Sequence, residues 1–572
     1  MRIRTVVIGL LAAALAGASC EGQSPAPAVQ TIARLHWLGK KDLAAQTNAA
    51  GLMTLWNLPQ TAKLEAQTLD KLAAALAHSL ATNQTQTLRP QPSTSLIRPL
   101  LEDLLSRESY LEVRQAAAER CELALAIRLD PRRASLWETN LGAAIQAITG
   151  ARPASARDRA RSWQLLITRR ASRAPAQLSL GRAGDWTLLG LAPDANPLLE
   201  EFVARIQRDH APFQAPLANA WLEAQFNPRR LAAALALDCP LPENLDQVSF
   251  SAGGDGATVL ERAQLDFAKP LNLKLEPWEL PAPLIAGQVI SFTALRGFEP
   301  WLASLKVWDD LNIGTPPNQA YFWALRGPAG LTFCAAPHPD ASNQVSRLAD
   351  QLLQKCGPWF ATNPIARFRK AKDLNGLEWK GIPVIYPFLK SVGAGTNCFV
   401  FGGLFPPPPE ANANRPAGGT GQQSPGFPPS GDTNANRALP RDLVMHLETQ
   451  EHLVAYSWEL TALRVEAWVP IGQTFRLVAQ KAQLPPHSAA LAWLTAAAPK
   501  LLWPSVSEVS QTGPGQLSFK RRSSLGLTAV ELHLLADWLE SPEFPHGLHT
   551  LLAPLPDVNQ APTPAPPPSR RK

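Results

Sequence analysis

The sequence predicts an α+β protein in which duplicated antiparallel sheet units are covered by helices, with a helical N-terminal segment and a disordered Pro-rich insertion. Three observations predict this class. Apolar residues alternate along several short segments, which is the period of a half-buried strand. Asx-Pro pairs follow some of these segments at once, and such pairs open helices. Finally, residues 183–206 and 329–353 resemble each other in pattern.

The succession of these patterns predicts eight segments along the 572 residues. Their order places the α+β body on both sides of the insertion, so we expect the body to be interrupted rather than to end there. The segments are a signal peptide (1–19), a flexible linker (20–30), a helical segment (31–95), a first α+β unit (96–280), a second α+β unit (281–405), a disordered Pro/Gly-rich insertion (406–440), a continuation of the α+β body (441–555) and a disordered tail (556–572).

The N-terminus has the pattern of an exported protein. Arg2 and Arg4 precede an uncharged apolar run that is too short to span a bilayer, which is typical of a signal peptide. Two processing hypotheses stay open. The sequence "GASC" ending at Cys20 resembles a bacterial lipobox, which predicts acylation of Cys20 and an envelope lipoprotein; the small-residue "AGA" before it predicts a soluble secreted protein. No later stretch predicts a transmembrane helix.

The helical segment rests on one apolar stripe. Leu69, Leu72, Leu76 and Leu80 recur at steps of three and four, which places them on one face of a helix. The polar, proline-containing stretch that follows ends this pattern. We therefore expect a helical preface before the first sheet.

Four Asx-Pro pairs mark predicted helix starts. An Asp or Asn side chain at the N-cap accepts a hydrogen bond from the first turn, and proline at the first helical position loses no hydrogen bond. The first of them also follows an alternating segment, "CELALAIRLD", with almost no loop between. The pairs are Asp130-Pro131, Asn196-Pro197, Asn227-Pro228 and Asn363-Pro364.

The similarity of residues 183–206 and 329–353 predicts duplication. Each runs as a turn, an apolar strand, an Ala-Pro exit, an Asx cap and an amphipathic helix, and a tryptophan-bearing strand precedes each turn. The repeated unit is therefore strand, turn, strand, helix. Because strands joined by short turns pair antiparallel, helices would cover one face of the resulting sheet.

Charge and cysteine content limit the function classes. The formal charge of +7 is small for this length and shows no concentrated basic face, so we expect no nucleic-acid partner. The cluster "KRR" at 520–522 is a solvated edge in the simplest interpretation, although attraction to anionic lipid headgroups stays open. Five cysteines beyond Cys20 form no metal-binding spacing, and their disulfide pairing is not determined; they are Cys121, Cys239, Cys334, Cys356 and Cys398.

Motifs for common chemistries are missing from the sequence. It contains no GxGxxG, no GxxxxGK[ST], no GxSxG and no HExxH, so we expect no cofactor and assign no catalytic residue. His446, Glu448 and His452 form a weak metal candidate. On a strand His446 and Glu448 would share a side, with His452 returning on the next strand, but ordinary hydrogen-bonded histidines explain the pattern better.

Two motifs carry a resemblance. "HWLGKKDLAAQTNAAGLMTLW" and the later "PWELPAPLIAGQVISFTALRGFEPWL" resemble an uncharacterised group of exported proteins from Verrucomicrobia-type bacteria. The resemblance implies an envelope location, in the periplasm or at the outer membrane, and carries no activity, ligand or catalytic residue.

Three functional hypotheses follow. The first is a non-enzymatic binding or scaffold lipoprotein of the cell envelope, with the bilayer as partner through an acylated Cys20 and a further protein partner left open. The second is an envelope hydrolase with a site between the α+β units. The third is a carrier of an apolar ligand, since antiparallel sheets covered by helices can enclose an apolar cleft.

Overall fold

The computed structural model describes most of the chain. The signal peptide, Cys20, Cys239, Asn363-Pro364, nearly all of the insertion and the tail lie outside the described residues. The described ranges are 30–82, 91–117, 120–150, 154–155, 161–169, 172–193, 196–213, 220–234, 242, 244–285, 287–304, 308, 314–327, 331–361, 367–370, 377–380, 388–394, 397–403, 439–478 and 488–545.

The strands are distributed along the whole described chain. They are β1 (Gln30–Trp37), β2 (Ser109–Ala117), β3 (Arg120–Arg128), β4 (Ala154–Ser155), β5 (Arg161–Arg169), β6 (Ser172–Ala183), β7 (Trp186–Ala192), β8 (Ala220–Phe226), β9 (Leu245–Gly254), β10 (Val259–Phe267), β11 (Val289–Arg296), β12 (Gln319–Leu325), β13 (Leu331–Pro337), β14 (Arg367–Lys370), β15 (Leu377–Lys380), β16 (Phe388–Ala394), β17 (Asn397–Gly403), β18 (Leu453–Glu459), β19 (Ser505–Gly513) and β20 (Gln516–Ser523).

Helices lie between groups of strands along the chain. None of the helices in the described residues has the length and hydropathy needed to cross a membrane. They are α1 (Lys40–Ala44), α2 (Ala50–Trp56), α3 (Pro59–Thr82), α4 (Gln91–Ser106), α5 (Pro131–Thr149), α6 (Pro197–Asp209), α7 (Pro228–Ala234), α8 (Glu299–Ala303), α9 (Ala341–Ala361), α10 (Arg441–Thr449), α11 (Thr461–Val478), α12 (Ala489–Ala497) and α13 (Ala529–Glu540).

The chain divides into two compact units. The first comprises Met1–Leu271 and Trp468–Leu552, and the second comprises Asn272–Ala467 and Ala553–Lys572. The sequence placed residues 441–555 in one continuation of the body. The structure instead divides that stretch, and its larger part returns to the first unit.

Every described strand pairing is antiparallel, and the fold is α+β. In the first unit the strands follow the order β4, β5, β6, β7, β3, β2, β1, β8, β9, β10, β20, β19. In the second unit the order is β14, β15, β16, β17, β13, β12, β11, β18.

The second order repeats the first eight places of the first order with each strand number raised by ten. The registers also correspond, since His36 opposes Tyr110 on β1 and β2 as Ala294 opposes Tyr321 on β11 and β12. The two stretches aligned by sequence both contain a strand followed by a helix, β7 with α6 and β13 with α9. The tryptophan-bearing β12 directly precedes β13 as expected, but β6 stands between the tryptophan-bearing β5 and β7. The two stretches occupy different places in the two orders, however, because β7 corresponds to β17 whereas β13 corresponds to β3.

Local capping explains several helix starts. The Asp130 side chain accepts a hydrogen bond from the Arg133 backbone N–H at 2.9 Å, and Gly150, with φ of 71°, is the C-cap of α5. Asn196 accepts from the Leu199 N–H at 3.0 Å in the same way at α6. These two predicted starts are confirmed, as is the start of α7 after Asn227, since they depend only on neighbouring residues.

The helical N-terminal segment needs a correction at its beginning. Residues Gln30–Trp37 form β1, which lies between β2 and β8, and helices begin only at Lys40. A short apolar run fits either a strand or a helix, and here the partner strands that decide between them lie far along the chain. The Leu69 and Leu72 stripe is helical as predicted, within α3.

Helices bury part of the sheet of the first unit. α6 packs on β3 and β7, where Phe202 and Leu198 join a core with Tyr110 and Trp186. Elsewhere α3 packs on α4 and α4 on α5, and the Trp37 indole N–H donates to the Leu105 carbonyl of α4 at 3.0 Å. Of these helices, α3 and α4 contribute residues to one wall of the cavity described below.

The turn after β1 depends on Gly39. Its φ is +92°, and a Cβ there would lie 2.5 Å from the Arg107 carbonyl carbon, whereas Gly150, with φ of +71°, has no such neighbour. We expect Gly150→Ala to lower the free energy of unfolding by about 1 kcal/mol, the cost of left-handed backbone. Gly39→Ala adds a steric clash and lowers it by about 1–3 kcal/mol more. Chemical denaturation followed by tryptophan fluorescence measures both, and equal losses would contradict the close approach.

Candidate functional site

An apolar cavity of about 150 Å³ lies in the first unit. It forms where α2 and α3 meet α12, α13 and the segments that follow β20 and α13. Most lining side chains are leucine or aromatic, and three carry polar groups. The lining residues are Leu52, Leu55, Trp56, Thr61, Leu64, Glu65, Thr68, Leu69, Leu72, Leu105, Trp493, Leu525, Leu539 and Phe544.

Two distant parts of the sequence build the cavity. The α3 stripe that the sequence predicted supplies Leu69 and Leu72, which are buried. The opposite wall comes from the C-terminal part of the unit, through Trp493, Leu539 and Phe544. Sequence periodicity therefore indicated one wall, while nothing local indicated that the other wall would face it.

The polar groups of the cavity already have partners. Glu65 accepts hydrogen bonds from the Trp56 indole N–H at 2.6 Å and from Lys40 Nζ at 2.8 Å. The Thr68 hydroxyl donates to a carbonyl of its own helix, α3, and the Thr61 hydroxyl donates to a carbonyl of α2, each at 2.8 Å. The remaining surface offers carbon contacts, so the cavity suits an apolar ligand.

A polar network beside the cavity joins α3 to α12 and α13. Glu540 accepts from the Gln67 side chain at 3.2 Å and from the Ala490 backbone N–H at 2.9 Å. Lys71 donates to the Leu539 carbonyl. Burial lowers the pKa of Lys71, although the nearby Glu540 carboxylate opposes this shift. The network fixes the two walls relative to each other.

A buried acid–base cluster lies on β1, β3 and β8 and at the beginning of β2. His36 is 3% exposed; its Nε2 lies 3.3 Å from Glu108 Oε1, its Nδ1 lies 3.9 Å from Glu223 Oε2, and its ring stacks on Tyr110. Arg128 also binds Glu108, at 3.1 Å. Burial alone would raise the pKa of Glu108, but the hydrogen bond and charge of His36 and the charge of Arg128 outweigh it and hold that pKa below its ordinary value.

The corresponding place in the second unit is less charged. Ala294 stands opposite Tyr321 where His36 stands opposite Tyr110, and Tyr456 opposes Ala294 where Glu223 opposes His36. Gln319, which accepts a hydrogen bond from Tyr321, precedes it by two residues as Glu108 precedes Tyr110. The strand order thus forms without the acid–base pair. Since a substrate cannot reach a histidine so deeply buried, we assign the cluster to stability.

The residues singled out by sequence do not meet in one site. Cys20 lies outside the described residues. His446 and Glu448 lie on α10, so the strand geometry expected for them is wrong; His446 packs near Tyr456, and His452 is exposed in the turn before β18. Within the described ranges, no three His, Cys, Asp or Glu side chains are grouped so as to hold a metal ion. Sequence reasoning missed His36 and Glu108, because only strand pairing brings them together.

The depressed pKa of Glu108 predicts a loss of stability in acid. The Glu108 carboxylate binds a proton more readily in the unfolded chain than in the folded protein. The stabilisation of the fold by ionised Glu108 is therefore present above the ordinary pKa of 4.5 and is lost as pH falls through the lower pKa of the folded protein. We expect Glu108→Gln to reduce stability at neutral pH and to flatten its pH dependence below that value. Denaturant unfolding across this range tests it, with Glu102→Gln on an exposed helical surface as control. An unchanged acid slope in Glu108→Gln would contradict the assignment.

Comparison of the chain with protein-family models, with curated proteins and with solved structures found no match. Relatives therefore supply no activity, ligand or residue role for this chain. The chemistry of the cavity and of the acid–base cluster carries the functional conclusions that follow.

Proposed function

We propose that this protein is a non-enzymatic binding protein of the cell envelope that carries a small apolar ligand in the cavity of its first unit. The main support for this proposal is the lining of that cavity. Leucine and aromatic side chains predominate there, and the side chains of Thr61, Glu65 and Thr68 are already hydrogen-bonded. An apolar cavity of about 150 Å³ accommodates a molecule the size of benzene. A hydrocarbon ring or the end of an acyl chain fits that volume.

We further propose that the two units arose by duplication and that the cavity was added to the first. The corresponding strand orders and registers support this. Between β1 and β2 the first unit carries α1 to α4, whereas between β11 and β12 the second has the short α8 as its described helix. Because α2, α3 and α4 contribute cavity residues, one wall of the ligand site belongs to this longer connection.

The buried cluster around His36 is a weaker basis for catalysis. A general base must lie within hydrogen-bond reach of its substrate. His36, at 3% exposure, is instead enclosed by protein: its Nε2 lies within hydrogen-bond distance of Glu108, and the nearest carboxylate oxygen to its Nδ1, on Glu223, is 3.9 Å away. A binding role therefore agrees better with the geometry than a hydrolase does.

Blocking the cavity tests the binding proposal. Thr68 lines the cavity on α3, while Ala74 is exposed on the same helix. We expect Thr68→Trp to fill the space and weaken binding of toluene, a probe of the size that the cavity accommodates, at least about tenfold, a loss near 1.4 kcal/mol. Ala74→Trp should bind as the wild type does. Isothermal titration calorimetry measures both, and equal affinity in the two variants would exclude this cavity as the probe site.

The envelope location rests on the N-terminal sequence. We propose that acylated Cys20 anchors the chain at the periplasmic face of a membrane, with a soluble exported form as the alternative. Intact-mass measurement of membrane and soluble fractions from the native host should find wild type in the membrane with added acyl mass. Cys20→Ala should lose that mass. Wild type found only in the soluble fraction at unmodified mass would refute the anchor while leaving the cavity proposal intact.

A further inference from the structure

Two large apolar side chains stand exposed on a fixed backbone in the first unit. Leu502 is 81% exposed and Trp503 is 46% exposed, directly after the buried Leu501. The Trp503 backbone N–H donates to Ser524 Oγ at 3.0 Å, and that hydroxyl lies 3.3 Å from the Trp503 carbonyl oxygen. The backbone is thus held while both side chains face water, an arrangement that marks an interaction surface when other features support it.

Arg522 lies beside this pair, and other exposed basic residues lie nearby along the sheet and the chain. The Arg522 guanidinium carbon lies 5.8 Å from the centre of a Trp503 ring. Lys520 lies two residues before it on β20, and Arg262 stands opposite Lys520 on β10. All three side chains belong to exposed residues, as does Lys500, two residues before Leu502. The simplest interpretation of the sequence makes the 520–522 cluster a solvated edge and leaves attraction to anionic lipid headgroups open.

Acidic neighbours compensate only part of this charge. Asp255 pairs with Arg522 at 2.9 Å, and Glu508 stands opposite Lys520 on β19. Arg521, the middle residue of the cluster, points into the protein and pairs with Glu531 at 2.7 Å, so it does not contribute to the surface. The surface therefore carries four basic side chains and two carboxylates, and its net charge is positive.

We propose that Leu502 and Trp503, with Lys500, Lys520, Arg522 and Arg262, form a docking surface for an anionic phospholipid bilayer, called here the Leu–Trp patch. Tryptophan is favoured at membrane–water interfaces because its ring is amphipathic. A projecting leucine inserts into the acyl boundary, and lysine and arginine attract anionic headgroups. The combination of exposed apolar residues with a basic rim matches a lipid surface.

The Leu–Trp patch adjoins the cavity through the chain itself. Ser524 binds Trp503 through both backbone hydrogen bonds, and the next residue, Leu525, lines the cavity. Docking therefore brings that wall of the cavity towards the bilayer. The proposal goes beyond the carrier function and does not depend on it, since vesicle binding requires no ligand in the cavity.

Vesicle sedimentation tests the Leu–Trp patch without the N-terminal anchor. The mature chain carrying Cys20→Ala is mixed with vesicles of phosphatidylglycerol and phosphatidylcholine in equal parts, or of phosphatidylcholine alone. We expect binding to the anionic vesicles, weaker binding to the neutral ones, and release as salt is raised, because salt screens surface charge. Equal binding to both compositions, or no binding to the anionic vesicles, would overturn the proposal.

Variants locate the binding surface. Lys520→Ala and Arg262→Ala should each lower the partition coefficient about fivefold, the equivalent of about 1 kcal/mol per basic residue. Leu502→Ser with Trp503→Ser should lower it more than tenfold. Trp301→Ser, at a 55% exposed tryptophan of the second unit, is the matched control and should bind unchanged.

Thermal unfolding of each variant shows whether the fold is intact, and surface substitutions of this kind usually alter stability by about 0.5 kcal/mol or less. Wild-type binding by the Leu502→Ser and Trp503→Ser double variant would refute the bilayer as occupant and leave a protein partner for this surface. An equal loss in the Trp301→Ser control would also refute the assigned location.

Discussion

The pairing of β20 with β10 joins the C-terminal part of the first unit to its N-terminal part. The cavity depends on this pairing, because its two walls come from these two parts. Residues 272–467 of the second unit lie between these strands in the chain, yet the strands are in register from Val259 opposite Ser523 to Asp266 opposite Gln516. Because loop-closure entropy grows only with the logarithm of loop length, this long excursion costs little more than a short one. The apolar side chains of α12 and α13 supply the compensating burial, and Trp493 and Leu539 then form the second wall of the cavity.

A charged cluster beside this pairing fixes its register. Arg521 on β20 lies 3.5 Å from Glu261 on β10 and 2.7 Å from Glu531 on α13, and Glu531 also completes a capping box with Thr528. Ion pairs with this little exposure add modest net stability, because desolvation offsets their attraction. We infer that their main effect is specificity: a one-residue slip would turn the Arg521 side chain to the opposite face of the sheet and separate it from both carboxylates.

Local features were predictable from the sequence, and non-local ones were not. The caps at Asp130 and Asn196 follow from neighbouring residues, and the Leu69 and Leu72 stripe follows from helical period. β1 was missed because its strand character comes from β2 and β8, which pair with it from far along the chain. One wall of the cavity was visible as that stripe. Only the basic part of the Leu–Trp patch was indicated by the sequence, as the cluster at 520–522. The exposure of Leu502 was not predicted, because an apolar residue is expected to be buried.

The corresponding strand orders explain why the first unit can hold such a site. Where the second unit passes from β11 to β12 with α8 as the described helix, the first unit inserts α1 to α4, and the sheet pairing is the same. The connection can therefore vary while the sheet stays constant, as expected for loops on a rigid scaffold.

Membrane attachment at two points would alter what the Leu–Trp patch needs to contribute. A single acyl chain gives only marginal membrane binding, and stable attachment generally takes a second signal such as a basic surface. Once Cys20 holds the chain at a membrane, docking of Leu502 and Trp503 becomes an intramolecular step with a high effective concentration. The modest net charge of this surface then suffices, because it has to orient an already attached protein rather than recruit a free one.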